Sequence, residues 1–165
     1  MTTGSQHIVD GRPALRFERH LDHSVERVWR AVTEPAELAR WFVADVAWTP
    51  ALGEVIEAEG ESGAITALDA PHLIAWTWSV ERYSFELTAT ADGSGCVLVF
   101  THVFDPRRGP DWQHAAGWET YLNRLDAHLA GGFLSEEAAH EGVGDLIERY
   151  RRTFEAEPAA SERAG

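Results

Sequence analysis

Between Gly117 and Ala130, apolar side chains recur every three to four residues, at Trp118, Leu122, Leu125 and Leu129, while Glu119, Arg124 and Asp126 point elsewhere. That spacing predicts one amphipathic helix with a single buried stripe. A stripe this bulky needs a sheet to lie against, and the preceding residues supply one. Alternation is clearest at Ile74, Trp76, Trp78 and Val80, then at Tyr83, Phe85 and Leu87, and again at Leu98, Phe100, His102 and Phe104. Gly53, Gly60, Gly63, Pro71 and the run Asp92-Gly93-Ser94-Gly95 mark turns between these segments. Residues 43–104 therefore read as an antiparallel meander. On its last strand Val97, Val99, Thr101 and Val103 share the opposite face, which predicts an exposed apolar strip of the kind that marks an interface.

Ahead of the meander, residues 13–21 read as a first strand. Ser24 is then placed to cap a helix whose buried stripe is Val25, Val28, Trp29 and Val32. Arg27 stands where a capping box would have glutamate, so the box is incomplete. Glu34-Pro35 ends that helix, and Pro35 suits the first turn of a second short one leading to Leu38, Trp41 and Phe42. Beyond the long helix, Gly131-Gly132 closes the unit. Residues 1–12 are expected to be a flexible N-terminus, 13–132 a single domain, and 133–165 an acidic extension. Within the extension a helix is expected over 145–155, with Asp145 and Glu148 as its capping box and Ile147, Tyr150 and Phe154 as a thin apolar stripe. It would dock on the domain, dock on a second subunit, or stay loose; residues 156–165 read as disordered.

The fold class is thus α+β, in a helix-grip arrangement. A curved antiparallel sheet of about six to seven strands carries two short helices after its first strand and one long C-terminal helix packed across it. A chain of 165 residues suits one such domain. No stretch reaches the roughly 20 apolar residues of a membrane helix, and residues 1–10 lack a secretory pattern, so the expected setting is the cytoplasm. Cys96 is the lone cysteine, leaving no intrachain disulfide. All fourteen basic residues are arginine, and the absence of lysine excludes Schiff-base chemistry. A net charge of −13 argues against nucleic acid and anionic membranes as partners, leaving neutral, apolar or basic ones.

Some of these segments are familiar. Phe17-Glu18-Arg19, then Val25-Glu26-Arg27-Val28-Trp29-Arg30-Ala31-Val32-Thr33-Glu34-Pro35 and Leu38-Ala39-Arg40-Trp41-Phe42, resemble the opening signature of the SRPBCC superfamily. They are closest to the branch named after the activator of the ninety-kilodalton heat-shock chaperone's ATPase. Thr101-His102 and Gly117-Trp118 with Leu122 and Leu125 resemble that branch's closing signature, and the likeness spans residues 13 to 130. The resemblance implies an apolar cavity between sheet and long helix.

If the alternation holds, Trp41, Phe42, Trp76, Trp78, Phe85, Leu98, Phe100, Trp118 and Leu122 face that space, with Tyr83, His102, Tyr121 and His114 as its polar members. The same aromatics could equally fill the space as core. His102 is the best candidate for chemistry, as an inward histidine able to act near neutrality. It would need a partner carboxylate, and Asp105 and Asp111 are close in sequence without the sequence tying either to the ring; the other reading is a structural histidine at the cavity mouth. No metal site emerges from the eight histidines. His20 and His23 straddle a strand-to-helix turn, His114 and His128 lie about four helical turns apart, and His102 with His114 lacks a third ligand. No cofactor is implied. Cys96 has no basic neighbour to activate it, and the glycine run at 93–95 is a hairpin turn rather than a phosphate loop.

Three functions follow. The first is non-catalytic binding of a small hydrophobic or amphipathic molecule. The second is an enzyme, hydrolase- or cyclase-like, with His102 as base. The third is a co-chaperone, which the chain has little room to be, since such activators use a second chaperone-binding domain. A homodimer through the outer sheet face or the C-terminal helix is also expected.

Overall fold

A computed structural model describes residues 4–58, 60–157 and 159–161. The chain runs β1 (Gly4–Val9), β2 (Arg12–Leu21), α1 (Val25–Thr33), α2 (Pro35–Leu38), β3 (Val55–Ala58), β4 (Glu61–Asp69), β5 (Leu73–Trp78), β6 (Glu81–Ala89), β7 (Cys96–Val103), a 3-10 turn (Pro106–Arg108), α3 (Asp111–Leu129), α4 (Glu136–Ala139), α5 (Val143–Ala156) and β8 (Ala160–Ser161). The strands form one curved sheet in the order β3-β4-β5-β6-β7-β2-β1-β8, antiparallel throughout except for the pairing of β1 with β8. The long helix α3 packs across its inner face, as the helix-grip pattern requires.

Register decides which side chains meet. One row across the inner face reads Phe17, Phe100, Phe85, Ile74 over β2, β7, β6 and β5, and the next reads Leu15, His102, Tyr83, Trp76. The row between them, Arg16, Thr101, Ser84 and Ala75, faces outward. Because side chains alternate strictly along a strand, a slip of one residue would expose both aromatic rows.

The two short helices form as the pattern indicates. The Ser24 hydroxyl accepts the Arg27 N–H at 3.2 Å, and Val25, Val28, Ala31 and Val32 are buried beneath the cap, with Trp29 partly so. Two indoles then tie the following segment to α1: Trp41 Nε1 donates to the Ala31 carbonyl at 2.8 Å and Trp48 Nε1 to the Thr33 carbonyl at 2.7 Å. The third helix begins at Asp111, six residues before the apolar stripe suggests, and ends at Leu129, with Gly131 just beyond it at φ +84°.

Both ends of the chain differ from expectation. The residues read as a flexible N-terminus contain β1, paired from Gly4↔Phe17 to Val9↔Arg12. The cause is local: Asp10 (φ +50°) and Gly11 (φ +74°) form a two-residue hairpin turn with both central residues left-handed, the geometry that follows the natural strand twist. The extension is docked rather than loose. It folds back on its own domain, burying Leu146, Tyr150 and Phe154. The Tyr150 hydroxyl accepts the Gly4 N–H at 2.7 Å and donates to the Glu119 carboxylate. The expected capping box is absent: Gly142 caps α5, and Glu148 instead pairs with Arg151 and Arg152. Within the stretch read as disordered, Ala160–Ser161 align with His7 and Ile8; residues 158 and 162–165 lie outside the described residues.

The outer strip is less open than its sequence suggests. Val103 is buried, and Val97 and Val99 are half-buried, Val99 standing between Glu18 and Glu86 of the neighbouring strands. Among the described residues no helix is long and apolar enough to cross a membrane.

Candidate ligand cavity

Along β6 the inward positions are Glu81, Tyr83, Phe85 and Leu87, and along β7 they are Leu98, Phe100 and His102. Moving two residues along either strand changes the inner face from hydrocarbon to polar. Glu81, at the first position of β6, is a carboxylate only 4% exposed. Its Oε2 accepts the Tyr83 hydroxyl at 2.7 Å and faces His102 Nε2 at 3.1 Å. Its Oε1 accepts the Asp105 N–H at 3.2 Å, with Arg108 Nε 3.9 Å away. Burial alone would raise the pKa of Glu81, but the hydrogen bonds from His102 and Tyr83 outweigh it and bring it down to about 2. Burial and the same carboxylate push the Tyr83 phenol well above its ordinary range.

The state of His102 follows from its partners. Trp118 Nε1 lies 2.9 Å from His102 Nδ1. An indole N–H can only donate, so Nδ1 carries the lone pair and the ring proton sits on Nε2, directed at Glu81. The imidazole is neutral, and burial holds its pKa below the ordinary value against the upward pull of Glu81. Tyr83 stacks on the ring with centroids 4.4 Å apart.

His114, one turn before Trp118 on α3, places its ring 5.7 Å from that of His102. Burial, then the neighbouring His102, keep its pKa low. Two buried nitrogens on this side have no hydrogen-bond partner among the described residues, His114 Nε2 and Trp78 Nε1.

These groups border a cavity of about 400 Å³. Val43, Trp78, Tyr83, Trp118 and Tyr121 give it an aromatic wall, and Glu81, His102, Arg108, Gln113 and His114 a polar one. Arg108 is held at the rim by Glu61. Gly117 of α3 completes the lining, and among the described residues a Cβ placed there would meet no atom outside its own helix backbone within 4 Å. Space therefore exists where a side chain on the helix is missing. The extension reaches the rim as well: the Tyr121 hydroxyl donates to Glu136 of α4 at 2.7 Å, and burial with that carboxylate pushes its pKa up to about 12.

Of the thirteen residues expected to line a cavity, Trp78, Tyr83, His102, His114, Trp118 and Tyr121 border this one. The other seven, Trp41, Phe42, Trp76, Phe85, Leu98, Phe100 and Leu122, are packed in the core. Their rings touch one another: Trp41 and Phe42 at 5.3 Å, Trp76 and Phe85 at 5.5 Å, Phe85 and Phe100 at 5.0 Å. Glu81, Arg108, Gln113, Val43 and Gly117 escaped the sequence reading. For Glu81 a signal existed, because it is in phase with Tyr83 and Phe85. The carboxylates close to His102 in sequence do not serve it: Asp105 is bound to Arg107 and Asp111 to Gln6. Among the described residues no three His, Cys, Asp or Glu side chains are grouped to hold a metal ion.

Fold and cavity together define a helix-grip protein of the SRPBCC type. The chain belongs to the family described as "Activator of Hsp90 ATPase homolog 1-like protein", whose model matches residues 22–130. No curated protein matches it in sequence. Among solved structures, the solution structure of CalU16 from Micromonospora echinospora is similar with a TM-score of 0.76 at 17% identity, covering 94% of both chains. A protein of unknown function from Enterococcus faecalis, EF2215, has a TM-score of 0.74 at 17% identity over 93% of this chain and 91% of its own. MLL2253 from Mesorhizobium loti has a TM-score of 0.61 at 24% identity, over 72% of this chain and 96% of its own. The match to CalU16 takes in most of the extension beyond α3, and at these identities it speaks for the fold alone.

Proposed function

We propose that the protein binds a small apolar or amphipathic molecule in the cavity beside Gly117 and does not transform it. The observation that carries this reading is Gly117 itself. A glycine inside a helix costs roughly 1 kcal/mol relative to alanine, and here it opens onto a space of about 400 Å³ walled by Trp78, Tyr83, Trp118 and Tyr121. An aromatic surface with a polar end suits an amphipathic guest.

Binding without chemistry is favoured by the engagement of His102. A general base needs a free lone pair within reach of its substrate. The single lone pair of His102 is taken by Trp118, and its proton is committed to Glu81. Glu81 in turn is a fully ionised carboxylate with both oxygens occupied.

Trp78 and Trp118 in the wall make the test direct. Titration with a neutral hydrophobic dye such as Nile red should change tryptophan emission saturably. Gly117→Leu, which fills the space from the helix side, should weaken dye binding at least tenfold while leaving the fold intact by circular dichroism. Equal binding by the two proteins would sink the proposal.

A further inference from the structure

We infer that the charge on His102 sets the position of Trp118, so that the cavity keeps its shape only while the imidazole is neutral. The consequence for ligand affinity rests on the binding reading above; the coupling of the two side chains does not.

The argument is one of donors and acceptors. Neutral His102 offers one lone pair, on Nδ1, and Trp118 Nε1–H occupies it at 2.9 Å. Glu81 makes this possible by holding the ring proton on Nε2, which makes it a positioning residue. Protonation would place an N–H on Nδ1, opposite the indole N–H, with no acceptor between them. Two donors at that separation in a buried site must part. The imidazole has little freedom to yield, being stacked on Tyr83 and fixed at Nε2, so the indole moves. Trp118 stands between the core and the cavity: its ring touches Phe100 at 4.6 Å on one side and borders the open space on the other. Displacing it remodels the wall.

The charged and titratable groups facing His102 come from every element around it. Glu81 on β6 attracts a proton to the ring, while burial together with Arg108 from the 3-10 turn and Arg12 from β2 opposes it. His114 from α3 lies alongside, Tyr83 is un-ionised, and Asp105 is neutralised by Arg107. Burial dominates, so the native ring takes its proton below the ordinary value of 6.5. A ring with a depressed pKa stays neutral above that value and gains charge as pH falls, which puts the change on the acid side of neutrality.

Residue-resolved NMR of the full chain, labelled with 15N and titrated from pH 8 to pH 4.5 without ligand, tests the coupling. The expected result is an Nε2–H tautomer for His102 at pH 8 and a Trp118 indole resonance that shifts with the same midpoint as the His102 ring. Trp118→Phe should raise that midpoint, because the acceptor demand on Nδ1 is gone. An Nδ1–H tautomer, or an indole resonance indifferent to His102, overturns the inference. So does an unchanged midpoint in Trp118→Phe. Nile red titrated over the same range separates the two proposals. Its affinity should fall about tenfold per pH unit below the His102 midpoint, and unchanged affinity across that midpoint overturns the dependence of the cavity's shape on the charge. No dye binding at any pH, with the NMR result as expected, removes the binding reading and leaves the coupling standing.

Discussion

The same sheet and the same helix build two different interiors a few ångströms apart. At one end Phe17, Phe85 and Phe100 meet Trp41, Leu98 and Leu122, every one of them essentially inaccessible. At the other end, one step further along β6 and β7, Tyr83 and His102 replace phenylalanines, Glu81 follows, and a cavity opens. Both ends are built on the same strands and the same helix. The difference lies in what α3 presents: Trp118 and Leu122 fill one end, whereas Gly117 leaves the other unfilled. A cavity in this fold is thus decided by a missing helix side chain as much as by the sheet beneath.

The largest effect is expected where packing is complete. Phe85→Ala removes a ring in contact with Trp41, Trp76 and Phe100 and should cost about 3–5 kcal/mol in urea unfolding, with Nile red binding little altered in the protein that remains folded. If the loss were under about 1 kcal/mol, the two ends would not differ in packing as described.

Next comes the polar end. Glu81→Ala strands the Tyr83 hydroxyl, the His102 ring proton and the Asp105 N–H together, and should cost about 2–3 kcal/mol at pH 7. The sign of its pH dependence is fixed by the direction of the shift. The folded pKa of Glu81 lies near 2 against an ordinary 4.5, so the unfolded chain binds the extra proton. Its stabilisation is complete above pH 4.5 and is lost as pH falls toward 2. His102 and His114, also shifted downward, start an earlier loss below pH 6.5. Unfolding curves of the native protein and Glu81→Ala should therefore converge between pH 4.5 and 2; a constant gap across that window would contradict the ionised state of Glu81.

The smallest effect has the opposite sign. Gly117→Ala adds a methyl group into open space on a helix and should stabilise the protein by about 0.5–1 kcal/mol, visible as a modest rise in Tm. Destabilisation there would mean that the space beside Gly117 is not free.

Much of this architecture could be read from the chain. The stripe from Trp118 to Leu129, the Ser24 cap, the Pro35 break and the alternation through β5, β6 and β7 each report a local periodicity, and local periodicity survives folding. What was missed falls into two kinds. The hairpin joining β1 to β2 was written plainly in Asp10-Gly11 and was overlooked because the strand before it is weakly apolar. Glu81 was overlooked for a better reason: a carboxylate starting a strand ordinarily faces water, and only the convergence of Tyr83, His102 and the Asp105 N–H makes its burial tolerable. The split between lining and core residues could not be read at all. Parity along a strand tells which side a residue faces, whereas whether it meets a ring or a void depends on the residue opposite, contributed by a helix later in the chain.

The pairing of β1 with β8 reaches beyond stability. It sets the two ends of the described chain on adjacent strands, with His7 beside Ala160 and the Tyr150 hydroxyl on the Gly4 N–H. In topological terms the described residues are close to a ring with a single cut. Ends that lie this near each other tolerate being joined while new ones are opened at an exposed turn. The tip of the hairpin between β6 and β7, at Asp92, Gly93 and Ser94, is exposed and lies at the far end of those strands from Glu81 and His102. A permuted chain opened there keeps the cavity inside one continuous run of sequence, with its polar and aromatic walls carried on the same uninterrupted segment from β7 through the old ends to β6.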